Sequence, residues 1–129
     1  MASVDGKPIV SSGIVWDDES GAASIDGFWI DTLDRTVIGV HFYSAASGDR
    51  AGTITLEGSN IAPASDLGTA VSFVNSSGSL VTSLTVTAST LFNEVINLNR
   101  YGPRFLKPVF TYSAGSTGVI KCVVSCKAG

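Results

Sequence analysis

The sequence predicts an all-β fold: an antiparallel β-sandwich, jelly-roll-like, with about eight strands. Two observations carry that prediction. Short runs rich in β-branched and aromatic residues alternate with Gly/Ser/Asp clusters at intervals of roughly 8–15 residues. No segment places apolar residues at i, i+3, i+4 and i+7 over three turns, so long amphipathic helices are not expected.

The first run covers residues 8–16 and ends at the acidic turn Asp17-Asp18-Glu19-Ser20-Gly21. A second spans 23–30, with Phe28 and Ile30 on one side and Trp29 on the other. The clearest strand is 36–44. Ile38, Val40 and Phe42 share one face; Val37, His41 and Tyr43 share the other. After the loop 46–50, residues 52–59 alternate Ile54 and Leu56 against Thr53, Thr55 and Glu57, the pattern of a strand with one wet face. These two strands are expected to pair as an antiparallel hairpin. Residues 61–67, with Pro63, read as a loop; 69–74 form a short strand closed by Asn75-Ser76-Ser77-Gly78, and 84–87 read as another. The stretch 88–93 is compatible with a helical turn, and 94–98 is strand-like. Arg100-Tyr101-Gly102-Pro103 turns into 104–112, where Pro108 suggests an edge position or a bulge. The turn 114–118 leads into 119–126, whose core face is Ile120, Cys122, Val124 and Cys126, with Lys121 and Ser125 opposite.

A chain of 129 residues fits one domain. Residues 1–15 are read as a candidate flexible arm and 16–129 as a single sandwich domain. Charged residues make up 15% against about 25% in typical domains, so Ser, Thr, Gly and Asn must build much of the surface. Such a surface needs little desolvation of charge when it meets another protein. With a net charge of −3 and eight scattered basic residues, the chain lacks the clustered footprint that phosphate neutralisation requires, and nucleic acid is not an expected partner. No apolar run approaches the roughly 18–20 residues that span a bilayer, so no membrane association is expected. Met-Ala-Ser-Val-Asp-Gly-Lys has no apolar signal region, which predicts a cytoplasmic start.

No catalytic residues, metal or cofactor are expected. Cys122 and Cys126 lie four apart in one strand, about 13 Å at Cα, beyond disulfide reach without a curled chain end, so they read as buried apolar residues. His41 is the single histidine, and a zinc site would need further soft ligands. It reads as a structural strand residue, because no Gly-x-Ser-x-Gly elbow accompanies it. The carboxylates Asp17, Asp18, Glu19, Asp26, Asp31 and Asp34 fit no EF-hand loop, and a glycosidase pair among them would need facing geometry. Asn75-Ser76-Ser77 matches the glycosylation sequon and reads as a turn. Ile9, Val10, Trp16, Phe28 and Trp29 are the candidate interface residues, since aromatic side chains favour interface cores. The alternative use of Trp16, Phe28 and Trp29 is a sugar-stacking platform in a carbohydrate-binding or host-adhesion module.

Three segments carry a resemblance: Thr36-Val-Ile-Gly-Val-His-Phe-Tyr-Ser44 leading to Gly52-Thr-Ile-Thr-Leu-Glu-Gly-Ser-Asn60; Arg100-Tyr-Gly-Pro-Arg-Phe-Leu-Lys-Pro-Val-Phe-Thr-Tyr112; and Ser113-Ala-Gly-Ser-Thr-Gly118 with a closing strand. Over residues 36–126 the chain resembles small β-sandwich structural proteins of tailed bacteriophages, of the capsid decoration (cement) type. It departs from them at Ile61-Ala62-Pro63, where relatives carry an acidic residue and a tryptophan. The resemblance implies a non-enzymatic virion protein, assembled in the host cytoplasm. Its implied partners are the major capsid protein and itself, as a homotrimer.

Overall fold

Alternating side chains of the longer strands enter one shared core, and their backbones pair into two antiparallel sheets. The computed structural model describes residues 3–4, 7–8, 13–18, 22–26, 29–32, 35–61, 69–97 and 104–128. In chain order the strands are β1 (Ser3–Val4), β2 (Lys7–Pro8), β3 (Gly13–Asp18), β4 (Ile25–Asp26), β5 (Ile30–Asp31), β6 (Arg35–Ser44), β7 (Ala51–Ser59), β8 (Thr69–Val71), β9 (Phe73–Val74), β10 (Leu80–Val81), β11 (Leu84–Val86), β12 (Phe92–Asn97), β13 (Phe105–Ala114) and β14 (Ile120–Ala128). No helix occurs among the described residues.

One sheet runs β12–β6–β14–β3. The other is centred on β7 and β13, with β8 and β11 sharing the outer side of β7, and β4 and β5 sharing the outer side of β13. Counting β4 with β5 and β8 with β11 leaves eight strand positions. The first sheet then holds the sixth, third, eighth and first positions, and the second holds the fifth, fourth, seventh and second. That is the strand order of a jelly roll, as the alternation and turn spacing predict. Two small hairpins, β1–β2 and β9–β10, stand outside these sheets.

The core lies between the sheets. Val40, Phe42, Ile96, Ile120, Cys122 and Val124 enter from one side, and Ile54, Leu56, Leu84, Val86, Leu106 and Phe110 from the other. Ile30 and Phe73 complete it.

Three expectations change. Residues 36–44 and 52–59 do not pair: β6 and β7 belong to opposite sheets, and loop 45–50 crosses between them. Alternation shows which side chains face the core, and two strands that face each other across it show the same pattern as two that pair side by side. The stretch 88–93 holds no helical turn; β12 begins at Phe92 because Phe92, Glu94 and Ile96 alternate with exposed Asn93, Val95 and Asn97. Pro108 lies in a central strand, not at an edge. It pairs with Leu56 on β7, and on its other side β5 lies opposite Phe105 and Leu106 and β4 opposite Val109 and Phe110, so strands flank it on both sides. Its missing N–H forgoes one ladder bond, which disfavours a central position without excluding it.

Candidate functional site

Sending every second residue of β12, β6 and β14 into the core leaves a complementary set outside. The register aligns that set into rows across the three strands: Asn93–Tyr43–Lys121, Val95–His41–Val123 and Asn97–Gly39–Ser125. The central row is apolar at both ends, with Val95 56% and Val123 37% exposed, and Tyr43 beside it is 38% exposed. His41 donates from Nε2 to Asn93 Oδ1, and its ring meets Tyr43 edge-on, with centroids 6.5 Å apart. Among the described residues nothing lies within 4 Å of where a side chain on Gly39 would begin. Among its described side chains Lys121 is the one formal charge. The outcome is a sheet face with contiguous apolar contacts and fixed polar partners, a type of patch that marks interaction surfaces.

At one end of the sandwich, loop 45–50 ties neighbouring loops together. Asp49 Oδ1 accepts hydrogen bonds from Ser116 N (2.9 Å), Thr117 N (2.8 Å) and Thr117 Oγ1 (2.7 Å), and Asp49 N donates to Thr117 O (3.1 Å). The Thr117 backbone N–H, its hydroxyl and the Ser116 N–H hold the Asp49 carboxyl below its ordinary range. Ser89 N donates to Gly48 O, joining loop 87–91. Arg50 turns inward, donates from Nη2 to Ala23 O at 3.0 Å and stacks over Phe110. Loop ends are the usual carriers of function in such folds, and this one is held rigid.

The second sheet has a different outer face. Thr85, Thr53 and Thr111 form one register row there, flooring a shallow groove of about 510 Å3 whose walls include Thr87 and Ser113. This lining offers hydroxyls and methyls, and no carboxylate, imidazole, thiol or amine. Further along, Lys107 is buried with its Nζ 5.0 Å from the Trp29 ring centre.

The structure places the predicted residues as follows. Trp29, expected as an interface anchor or sugar platform, is 2% exposed and presents no free ring; its stacking with Lys107 is internal to the chain. Trp16 is the register partner of Cys122 on β3. Ile9, Val10 and Phe28 lie outside the described residues. Asp31 is bound bidentately by Arg104, at 3.1 and 3.0 Å. Asn75 makes the expected turn, its Oδ1 accepting from Ser77 N and Ser79 N. Cys122 is buried and free, and burial pushes its thiol pKa up. The sequence put His41 and Tyr43 on one face of their strand and Lys121 opposite the core face of its own, but did not assemble them with Val95 and Val123, because strand neighbours are not written in the alternation.

No protein-family model matches the chain, and no curated protein matches it. Among solved structures, the SPBc2 prophage-derived protein YomS is similar, with a TM-score of 0.56 at 18% identity, covering 87% of this chain and 89% of that one. At that identity the likeness is one of fold.

Proposed function

We propose that the chain is a non-enzymatic structural protein of a bacteriophage particle, a decoration protein that binds the capsid shell and reinforces it. The observation that carries this reading is the jelly-roll sandwich, shared over nearly the whole chain with a prophage-derived protein. Fold alone does not specify function, and the surface adds to it. Uncharged hydroxyl-bearing rows and an exposed apolar row favour contact with other polypeptides over contact with ions or nucleic acid. Several copies engaging one shell would multiply individually weak contacts. Burial of Trp29 takes one of its three rings from the sugar-platform alternative.

The test is co-sedimentation of the purified chain with shells of the phage that encodes it, with the copy number per shell and the shell's melting temperature as readouts. Saturable binding and a raised shell melting temperature are expected. Failure to sediment with the shells at micromolar concentration overturns the reading.

A further inference from the structure

We infer that β3, β4 and β5 form an exchangeable strap: in assembled copies they leave their own sandwich and fill the same two lanes, beside β14 and β13, of a second copy. The inference rests on the structural-protein reading and adds to it the way copies join. The occupant of the lanes is visible within one chain. β3 pairs with β14, and β4 and β5 pair with β13, so this one stretch ends both sheets among the described residues. Its anchors come from far along the chain. Arg50 donates to Ala23 O, Tyr112 N donates to Ser24 Oγ at 2.9 Å, and Arg104 grips Asp31 with two bonds. Thr32 donates twice to Arg104 O, from N at 2.8 Å and from Oγ1 at 2.7 Å. Each of these groups is present on every copy, so the lanes accept another copy's strap with the same contacts.

Two further observations favour exchange over closure on the same copy. β5 and β6 belong to opposite sheets, yet only Thr32, Leu33 and Asp34 separate them, whereas loop 45–50 joins β6 to β7 across the core with six residues. Four Cα–Cα steps reach at most about 14 Å. Sheets stack about 10 Å apart, and β5 is marginal while β6 is an inner strand, so closure leaves almost no slack. A short link of this kind opens outward readily once a second acceptor is near. The ladder that holds the strap is also interrupted. β4 and β5 each give β13 two paired residues, and the β3–β14 register shifts between Cys122 and Val123. Departure therefore breaks short runs, and pairing on a neighbour restores all of them. The exchanged form keeps the native contacts and relaxes the link. It loses the freedom of a separate molecule, which crowding of copies on a shell offsets.

The experiment traps the strap in the other copy's lane. Two full-length variants, Asp26→Cys and Val109→Cys, change Cα partners of β4 and β13 and are co-expressed with different tags. A disulfide between them needs Cα atoms within about 7 Å, which different chains reach at these positions only by exchange. Oxidation should give a covalent heterodimer on non-reducing electrophoresis, at least about fivefold above an Asp26→Cys and Leu80→Cys mixture, since Leu80 lies on the β9–β10 hairpin. Asp17→Cys with Lys121→Cys, partners of β3 and β14, reports the second lane and stands in if the first pair fails to fold. Four Gly/Ser residues inserted between Leu33 and Asp34 give the link slack and should cut the heterodimer at least about fivefold, with circular dichroism unchanged. Yields at the control level for every folded pair, or a yield indifferent to the insertion, overturn the inference. Shell co-sedimentation separates it from the functional reading: shell binding without cross-links removes the exchange alone, and cross-links without shell binding remove the capsid role alone.

Discussion

Asp49 shows how one side chain can hold a loop end. Its carboxylate satisfies two backbone N–H groups and a hydroxyl of the 116–117 turn, all of which prefer the charged form. A carboxyl whose pKa is depressed by folding stabilises the fold above its ordinary value of 3.8, and loses that contribution as pH falls through the lower, folded-state value. Urea midpoints of the wild type and Asp49→Asn should therefore differ above about pH 4 and converge at lower pH. A difference that stays constant down to the acid limit would show that the bonds do not depend on the charge. Because Asp49 is solvent-exposed, the effect is screened and smaller than for a buried pair. Arg50, its neighbour, acts oppositely: it is buried, and its stacking on Phe110 with a bond to Ala23 O draws segment 22–26 onto the second sheet.

Turns and strand breaks decide where the strands can lie. Loop 45–50 and the turn after β13 approach so closely that Gly118, at φ +95°, leaves room for no side chain: a Cβ there would sit 2.6 Å from Gly48 Cα. Gly78, at φ +86° in the β9–β10 hairpin, faces open space. Gly78→Ala should therefore cost about 1 kcal/mol, the conformational penalty alone. Gly118→Ala adds a backbone collision and should cost on the order of 2–4 kcal/mol. Equal losses in thermal or urea unfolding would mean that the two loops separate without consequence. Pro108 illustrates the converse: a residue that forgoes a ladder bond still holds a place in a central strand, paired with Leu56 on β7.

Neither sheet has a core of its own, since each supplies half of a single cluster. Phe110, fully buried at the centre of β13, touches that cluster and carries the Arg50 guanidinium over its ring. Phe110→Ala should lower stability by about 3–5 kcal/mol through a cavity and lost transfer energy. It should do so in one cooperative transition, because both sheets lose a shared partner. Fluorescence and far-ultraviolet dichroism melts that separate would contradict a shared core. Crossings between sheets also place loop 45–50 beside the 115–118 turn and the Ser89 loop, bringing together residues more than forty positions apart.

By itself the sequence determined the all-β class, the approximate strand count, the inward faces of β7 and β14 and the turn at Asn75, because period-two alternation and turn chemistry are local properties. It also marked His41 and Tyr43 as lying opposite Val40 and Phe42. Tertiary structure alone decided that β6 and β7 lie in different sheets, that Pro108 can occupy a central strand, that Trp29 is enclosed with Lys107, and that Val95, His41 and Val123 form one row. Each of these depends on which strands become neighbours. A strand's own pattern reports whether a side chain faces the core or the outside, and the burial free energy is nearly the same whichever antiparallel partner supplies the backbone bonds. The choice of partner is made by the assembled core.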